Sequence, residues 1–137
     1  MIDERIQRLS ERRSVNDTLN ISIEEASPDK VVLSVPVGPD VHQPYGILHG
    51  GVSALLAEGA ASLAGALNVR EDQIVVGTEL NCSHLRPVTE GRLRATATPI
   101  RLGRSVHVWG IEMRDEKDRL ISVARCSLQV LAAPPAR

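Results

Sequence analysis

The 137-residue chain contains no phenylalanine, one tyrosine and one tryptophan. Proteins that bind single-stranded nucleic acid without sequence preference stack bases on aromatic side chains, and this composition offers no such platform. The 16 basic and 17 acidic residues give a formal net charge of -1. A balance this even favours neither nucleic acid nor a membrane surface as a partner.

Cysteines and long apolar runs are also scarce. Cys82 and Cys126 belong to no CxxC pair, so we interpret them as reduced core residues rather than a disulfide. Residues 1–14 carry scattered charges with no apolar run behind them, unlike a secretory signal peptide. No stretch approaches the roughly 20 apolar residues that a transmembrane helix needs. We therefore expect a cytoplasmic protein.

The length and patterning predict a single α+β domain over residues 1–137. A short amphipathic helix is predicted over residues 2–13 and a frayed tail over 132–137. Residues 52–67, VSALLAEGAASLAGAL, favour a central helix that is apolar on nearly every side. Short connections between the later strands predict an antiparallel meander that wraps around this helix. The predicted strands are 21–25, 31–37, 75–85, 93–101, 106–114 and 120–131.

Glu58 is the only ionisable residue in the predicted central helix. Burial of a carboxylate there is costly without partners, and groups in such perturbed environments are often catalytic. The alternative is that Glu58 faces solvent on a narrow polar stripe. Ser62 lies four residues further on and shares its helix face, so it could hydrogen-bond Glu58 or a substrate, or simply be a small packed residue.

His49, Gly50 and Gly51 come directly before this helix. The first N–H groups of a helix carry partial positive charge, so a carbonyl oxygen bound there becomes easier to attack. Glycines before helices are also common as plain turn residues. Gly50 and Glu58 are about 12 Å apart along a helix of standard rise, whereas a catalytic base must lie about 3 Å from the reacting atoms. These groups are therefore expected to meet only across a dimer, between two antiparallel helices.

Other polar residues give weaker signals. His84 ends a strand and could reach a pocket or lie at its rim, and arginines near turns could bind phosphate or be merely solvated. Histidines and acids show no metal-ligand spacing, and no GxSxG or GxxxxGK[ST] motif is present. We expect no metal and no cofactor.

The run QPYGILHGG at residues 43–51, followed by Ala57 and Glu58, closely resembles the hotdog-fold thioesterases of the PaaI-like group. Within that group the chain is most similar to the aryl-CoA branch, which includes the 4-hydroxybenzoyl-CoA, dihydroxynaphthoyl-CoA and enterobactin-pathway proofreading thioesterases. The similarity continues through VGTELN at 76–81, HLR at 84–86 and VWGIE at 108–112.

The resemblance implies a hotdog fold, in which an antiparallel sheet wraps around one central helix. It also implies hydrolysis of an acyl-CoA thioester by homodimers that pair into tetramers. Glu58 would be nucleophile or general base, and the Gly50 N–H of the other subunit would polarise the carbonyl. Gln43 and His49 would orient the thioester, and Ser62 would assist near the water. The expected substrate contacts are His84 and Leu63 for the acyl group, and Arg86, Arg104 and Ser105 for CoA.

Two other functions stay open. The chain could be a non-catalytic domain that senses acyl-CoA, although such a domain needs no carboxylate like Glu58. It could instead hydrolyse thioesters carried on a protein. A hotdog dehydratase would need a histidine and a carboxylate facing the acyl chain, and the HGG turn fits hydrolysis better. The sequence does not choose between an aryl and a medium-chain acyl group.

Overall fold

In the computed structural model, which describes residues 3–135, one long helix packs against a six-stranded antiparallel sheet. The predicted α+β class is confirmed, and each predicted strand is found with its ends within two residues of the expected ones. The helices are α1 (Glu4–Ser10), α2 (Val15–Thr18) and α3 (Gly50–Ala66), with a 3-10 turn at Pro39–Val41. The strands are β1 (Ser22–Ser27), β2 (Lys30–Pro36), β3 (Gln73–His84), β4 (Arg92–Leu102), β5 (Val106–Arg114) and β6 (Leu120–Ala132).

The strand order is β1-β2-β4-β5-β6-β3, so the predicted meander holds for β4 to β6 but is wrong for β3. β3 pairs with β6 at one edge of the sheet instead of with β4. The cause lies in the connection over residues 85–91, which is hydrogen-bonded to the β2 side of the molecule. Val88 accepts the N–H of Leu48, and Gly91 accepts the N–H of Val37. β4 therefore begins beside β2.

Helix α3 begins at Gly50, two residues before the predicted start, with His49 as its N-cap. Its sheet-facing side is built from small residues and one leucine, which are fully buried and let the helix approach the strands closely. These core residues are Leu56, Ala57, Ala60, Ala61 and Ala64. The expectation of burial on nearly every side is wrong for one stripe, where Gly51 and Glu58 are exposed and Ala54, Leu55 and Ser62 are half-buried.

Both ends of the chain differ from prediction. The helix predicted over 2–13 is shorter than expected, because α1 ends at Ser10. A second short helix, α2, follows outside that range and begins at a capping box made by Ser14 and Asp17. Helix α1 is anchored by the fully buried Ile6. The predicted frayed tail is wrong at its start, because β6 runs to Ala132 and the N–H of Ala133 donates to the Asp72 carbonyl. The ends of both predicted segments, residue 2 and residues 136–137, lie outside the described residues.

Candidate active site

The N-terminus of α3 presents one free backbone N–H group. The N–H of Gly51 donates to Nδ1 of His49 at 2.8 Å. The carbonyl of His49 accepts from the N–H groups of Val52 and Ser53 at 2.9 and 3.4 Å. Within residues 3–135 no acceptor takes the N–H of Gly50. This group is therefore available to an incoming oxygen atom, at the positive end of the helix dipole.

His49 contributes a second donor next to the helix start. Because its Nδ1 accepts the Gly51 N–H, the proton of a neutral imidazole must be on Nε2. The His49 side chain is exposed, so Nε2–H points away from the helix cap and can donate to a ligand. The residue that caps the helix thus also provides a side-chain N–H donor near the helix N-terminus.

The imidazole of His84 covers this helix start. A Cβ atom added to Gly50 would lie 2.7 Å from Nε2 of His84, so a side chain at position 50 would displace the ring. The other ring nitrogen, Nδ1, is 3.2 Å from Oγ of the fully buried Ser122, which holds the ring in place. His84 therefore lies beside the helix start.

A cavity of about 420 Å³ opens at this point, and we call it the helix-start cavity. Gln43 reaches it from the loop before the helix, where its side-chain oxygen accepts the N–H of Tyr45 and its amide group remains for a ligand. Four of the predicted site residues line the same cavity: Gln43, Gly50, His84 and Arg86.

Glu58 lies in a different place, in a groove of about 450 Å³ that we call the Glu58 groove. The prediction that Glu58 is buried is wrong for the single chain: the residue is exposed, and it forms no ion pair with any other residue in the described range. The stripe of α3 that carries it faces the edge strand β3 and the outside rather than the core. The groove is lined by Val15, Asn16, Gly51, Ala54, Leu55, Glu58, Gly59, Ser62 and Leu80.

A third cavity of about 300 Å³, the α1 cavity, continues from Ser62, which lines both it and the Glu58 groove. Its apolar wall combines Leu63 of α3 with Leu9 of α1 and with Ile74 and Val75 of β3. Arg5 fixes α1 in this position by donating to the carbonyls of Ala66 and Val69 at 3.2 and 3.1 Å. The charged residues that line the α1 cavity are Arg5, Arg8, Arg70 and Glu71.

Arg104 and Ser105 are not brought to any of these three cavities. They lie in the turn between β4 and β5, where the Ser105 carbonyl accepts the N–H of Val130 at 2.9 Å. Val130 pairs with Val75 near the start of β3, whereas His84 ends that strand. At about 3.3 Å per residue the two ends are roughly 30 Å apart. One chain therefore holds its predicted CoA contacts at opposite ends of β3.

Sequence reasoning assigned no role to Leu9 and Asn16, which line these cavities, or to Gly77, which lies beside Glu58. Leu9 and Asn16 come from the N-terminal helices, whose packing the sequence does not specify. Gly77 carried a readable signal, because a glycine inside a strand pattern often marks a close approach by another group. Here that group is Glu58, whose carboxyl carbon would lie 2.9 Å from a Cβ at position 77.

The remaining candidate groups lie elsewhere. Both cysteines are free, and the interpretation as a core residue is confirmed for Cys126, which is fully buried, whereas Cys82 is half-buried. Burial raises the pKa of Cys126 to about 11. His42 contacts the Thr89 carbonyl at 2.9 Å, and burial lowers the pKa of His107. Across residues 3–135 no group of three or more His, Cys, Asp or Glu side chains is arranged to hold a metal ion. No helix in that range is long and apolar enough to cross a membrane.

Comparison with known proteins shows the family. Residues 45–122 match the model of the thioesterase superfamily. The chain is 41% identical to a 1,4-dihydroxy-2-naphthoyl-CoA hydrolase of Listeria monocytogenes, over 85% of this chain and 94% of that protein. It is 42% identical to the proofreading thioesterase EntH of Cronobacter turicensis, over 82% of each chain. A crystal structure of a thioesterase from Haemophilus influenzae superposes with a TM-score of 0.89 at 42% identity, over 96% of this chain and 92% of that one. With its helix against an antiparallel sheet, the chain belongs to the thioesterase superfamily and is a hotdog-fold thioester hydrolase.

Proposed function

We propose that the protein hydrolyses an aryl- or medium-chain acyl-CoA to the free acid and CoA, in an active site built from two subunits. The observation that carries this proposal is the separation of Gly50 and Glu58. They lie eight residues apart on one helix and line different cavities. The Listeria relative named 1,4-dihydroxy-2-naphthoyl-CoA hydrolase supports an aryl-CoA as substrate.

The free edge of β3 supports a homodimer. β3 is a 12-residue strand at one end of the sheet, and its exposed side chains include Ile74 and Val76. A long apolar edge strand is a template for pairing with another strand. Two copies related by a two-fold axis would pair their β3 strands antiparallel and extend the sheet across the interface. We expect such dimers to associate further into tetramers.

Antiparallel β3 pairing would also complete the substrate site. The start of β3 in one subunit would lie beside the end of β3 in the other. The turn with Arg104 and Ser105 in one subunit would then approach Arg86 in the other, although one chain holds them far apart. These three residues are our proposed contacts for the CoA phosphates, since arginine pairs well with phosphate oxygens.

The proposed chemistry assigns one role to each half of the site. The Gly50 N–H of one subunit donates to the thioester carbonyl oxygen, and the His49 Nε2–H and the Gln43 amide help to orient the thioester. These donors stabilise the negative charge that develops on this oxygen.

Glu58 of the other subunit acts in one of two ways. Its carboxylate attacks the carbonyl carbon and expels CoA thiolate, and water then hydrolyses the mixed anhydride. Alternatively, it takes a proton from a water molecule that attacks the carbonyl carbon directly and expels CoA thiolate, with Ser62 holding this water.

The α1 cavity is the proposed acyl site. It adjoins the Glu58 groove at Ser62, which lines both. Its apolar wall is aliphatic, and Leu63 is the wall residue closest to Glu58 in sequence. Its volume of about 300 Å³ suits a flat ring system or a medium chain. His84 of the other subunit would border the acyl group where it meets the helix start.

The first experiment measures release of free thiol from hydroxybenzoyl-, phenylacetyl-, dihydroxynaphthoyl- and medium-chain acyl-CoA. We expect Glu58→Ala to fold normally and to lower kcat by about 10³-fold, within the range for loss of a general base or nucleophile. Glu25→Ala is the matched control, because this exposed carboxylate on β1 pairs with Lys30 and lies outside all three cavities. Near-normal turnover by the Glu58 variant would remove this residue from the mechanism. No release by folded, dimeric wild type would favour a carrier-bound thioester or a sensing domain.

A further inference from the structure

Strand β3 contains one extra residue in the middle of its pairing with β6. Gly77 pairs with Leu128 and Glu79 with Ser127, so Thr78 has no partner of its own. The Thr78 hydroxyl instead donates to the Ser127 carbonyl at 3.3 Å. This arrangement is a β-bulge, which shifts the alternation of side chains between the two faces of a strand by one residue.

The bulge keeps both halves of β3 turned toward the helix. Before it, Gly77 is opposite Leu128, and after it His84 is opposite Ser122; both of these β6 residues are fully buried. Directly opposed residues in a sheet share a face. Gly77 and His84 are seven positions apart, so strict alternation without a bulge would place them on opposite faces. The one bulge therefore lets the same strand contact α3 at Glu58 and at Gly50.

The backbone conformation of Gly77 does not require a glycine at this position. Among the described glycines, only Gly46 and Gly91 have the positive φ that disfavours other residues. Gly77 is therefore not required by its φ angle, and a glycine inside a strand weakens it. What it supplies is space: a Cβ at this position would lie 2.9 Å from both Cδ and Oε2 of Glu58.

We propose that Gly77 is a positioning residue: the absence of a side chain there lets the Glu58 carboxylate lie against β3. This role depends on the proposed function of Glu58. Because the Glu58 side chain is exposed, a methyl group at position 77 pushes the carboxylate away without disturbing the core. Displacement of a catalytic group by about 1 Å can lower turnover by roughly 10²-fold. Gly77 thus affects the chemical step through Glu58 and does not touch the substrate.

The test compares Gly77→Ala with wild type in thiol release, thermal unfolding and crystal structure. We expect kcat to fall by roughly 10²-fold, with a much smaller change in KM and little change in Tm. A merely structural glycine would show the reverse, a lower Tm with kcat maintained in the folded protein. The matched control is Gly110→Ala, a strand glycine on the outer face where a Cβ would make only ordinary contacts, at 3.4 Å with the side chain of Ile100 and at 4.0 Å with the Thr98 carbonyl oxygen. This control should keep the kcat of wild type.

The crystal structures separate this proposal from the proposed function. Displacement of the Glu58 carboxylate by about 1 Å or more in Gly77→Ala would support the positioning role even if no acyl-CoA is hydrolysed. An unmoved carboxylate, or a variant with wild-type kcat, would overturn it. If Gly77→Ala does not fold, the glycine is structural and the positioning role is overturned.

Discussion

The imidazole of His84 packs so near Gly50 that a Cβ at position 50 would lie 2.7 Å from Nε2 of the ring. The contact joins the start of α3 to the end of β3, two segments that are 34 positions apart in the chain by their numbers. It places a histidine beside the only N–H of the first helical turn that has no acceptor within residues 3–135. The proposed oxyanion site therefore depends on the absence of a side chain at position 50.

Gly50→Ala should lower kcat/KM by about 10²-fold, the order of effect seen when an oxyanion donor is lost or misplaced. The added methyl group must displace His84 or the helix start, so the N–H no longer points to the same position. Steady-state hydrolysis of the best acyl-CoA measures this effect. Gly38→Ala is the control, since a Cβ there meets nothing within 4 Å. Equal activity of both variants would argue against the Gly50 N–H as a catalytic donor.

Mixed dimers test whether the site is shared between subunits. Glu58→Ala and Gly50→Ala each damage every site of their own homodimer. In a heterodimer with a two-fold interface, one composite site carries both changes and the other carries neither. Co-expression in equal amounts should therefore recover about a quarter of wild-type activity, because half of the dimers each have one intact site. If activity stays at the level of the separate variants, Gly50 and Glu58 do not serve one site across the interface.

The far wall of the proposed acyl site can be altered through Leu9. The buried Ile6 anchors the helix that carries Leu9, yet Leu9 itself is 58% exposed. A bound acyl group would therefore cover an apolar side chain that is otherwise exposed to solvent. Leu9→Trp should shift the acyl preference toward smaller groups by about 10-fold in relative kcat/KM, since one or two methylenes of fit count for this much. The control is Leu102→Trp, at an exposed leucine outside all three cavities. An unchanged ranking of the panel would place the acyl group elsewhere.

The buried thiol of Cys126 should be chemically silent. Burial raises its pKa to about 11, so at pH 8 about one molecule in a thousand carries the reactive thiolate. In a Cys82→Ser background, a disulfide reagent should titrate no thiol in the native protein and one equivalent after unfolding in guanidinium. Rapid labelling of the native variant would show that the core around Cys126 opens readily.

Asp115 should contribute to stability in a pH-dependent way. Burial alone would raise its pKa, but hydrogen bonds from Arg119 and Lys117 outweigh this and lower it. A carboxyl with a depressed folded pKa stabilises the native state above its unfolded pKa, and this contribution is lost as pH falls through the folded value. Asp115→Asn should therefore cost about 1–3 kcal/mol at pH 7 and flatten the stability profile below about pH 4. Chemical denaturation of both proteins from pH 3 to 7 measures the difference; parallel profiles would contradict it.

The regular elements were largely predictable because their signals are local. Alternation in the strands and the composition of residues 52–67 depend on nearest neighbours, and the observed ends fall close to those expected. The pairing of β3 was not predictable from alternation. It depends on hydrogen bonds between the connection at 85–91 and distant residues such as Leu48 and Val37.

Glu58, Gly50 and the need for a second subunit were all predicted from the sequence, since helix rise alone separates the first two by about 12 Å. The exposure of Glu58, the contact of His84 with Gly50 and the space left by Gly77 were decided only by the tertiary structure. The last two depend on which face of β3 meets α3, and the β-bulge at Thr78 sets that face. Local patterns determine which residues form helices and strands, whereas strand register, a long-range property, determines which side chains meet.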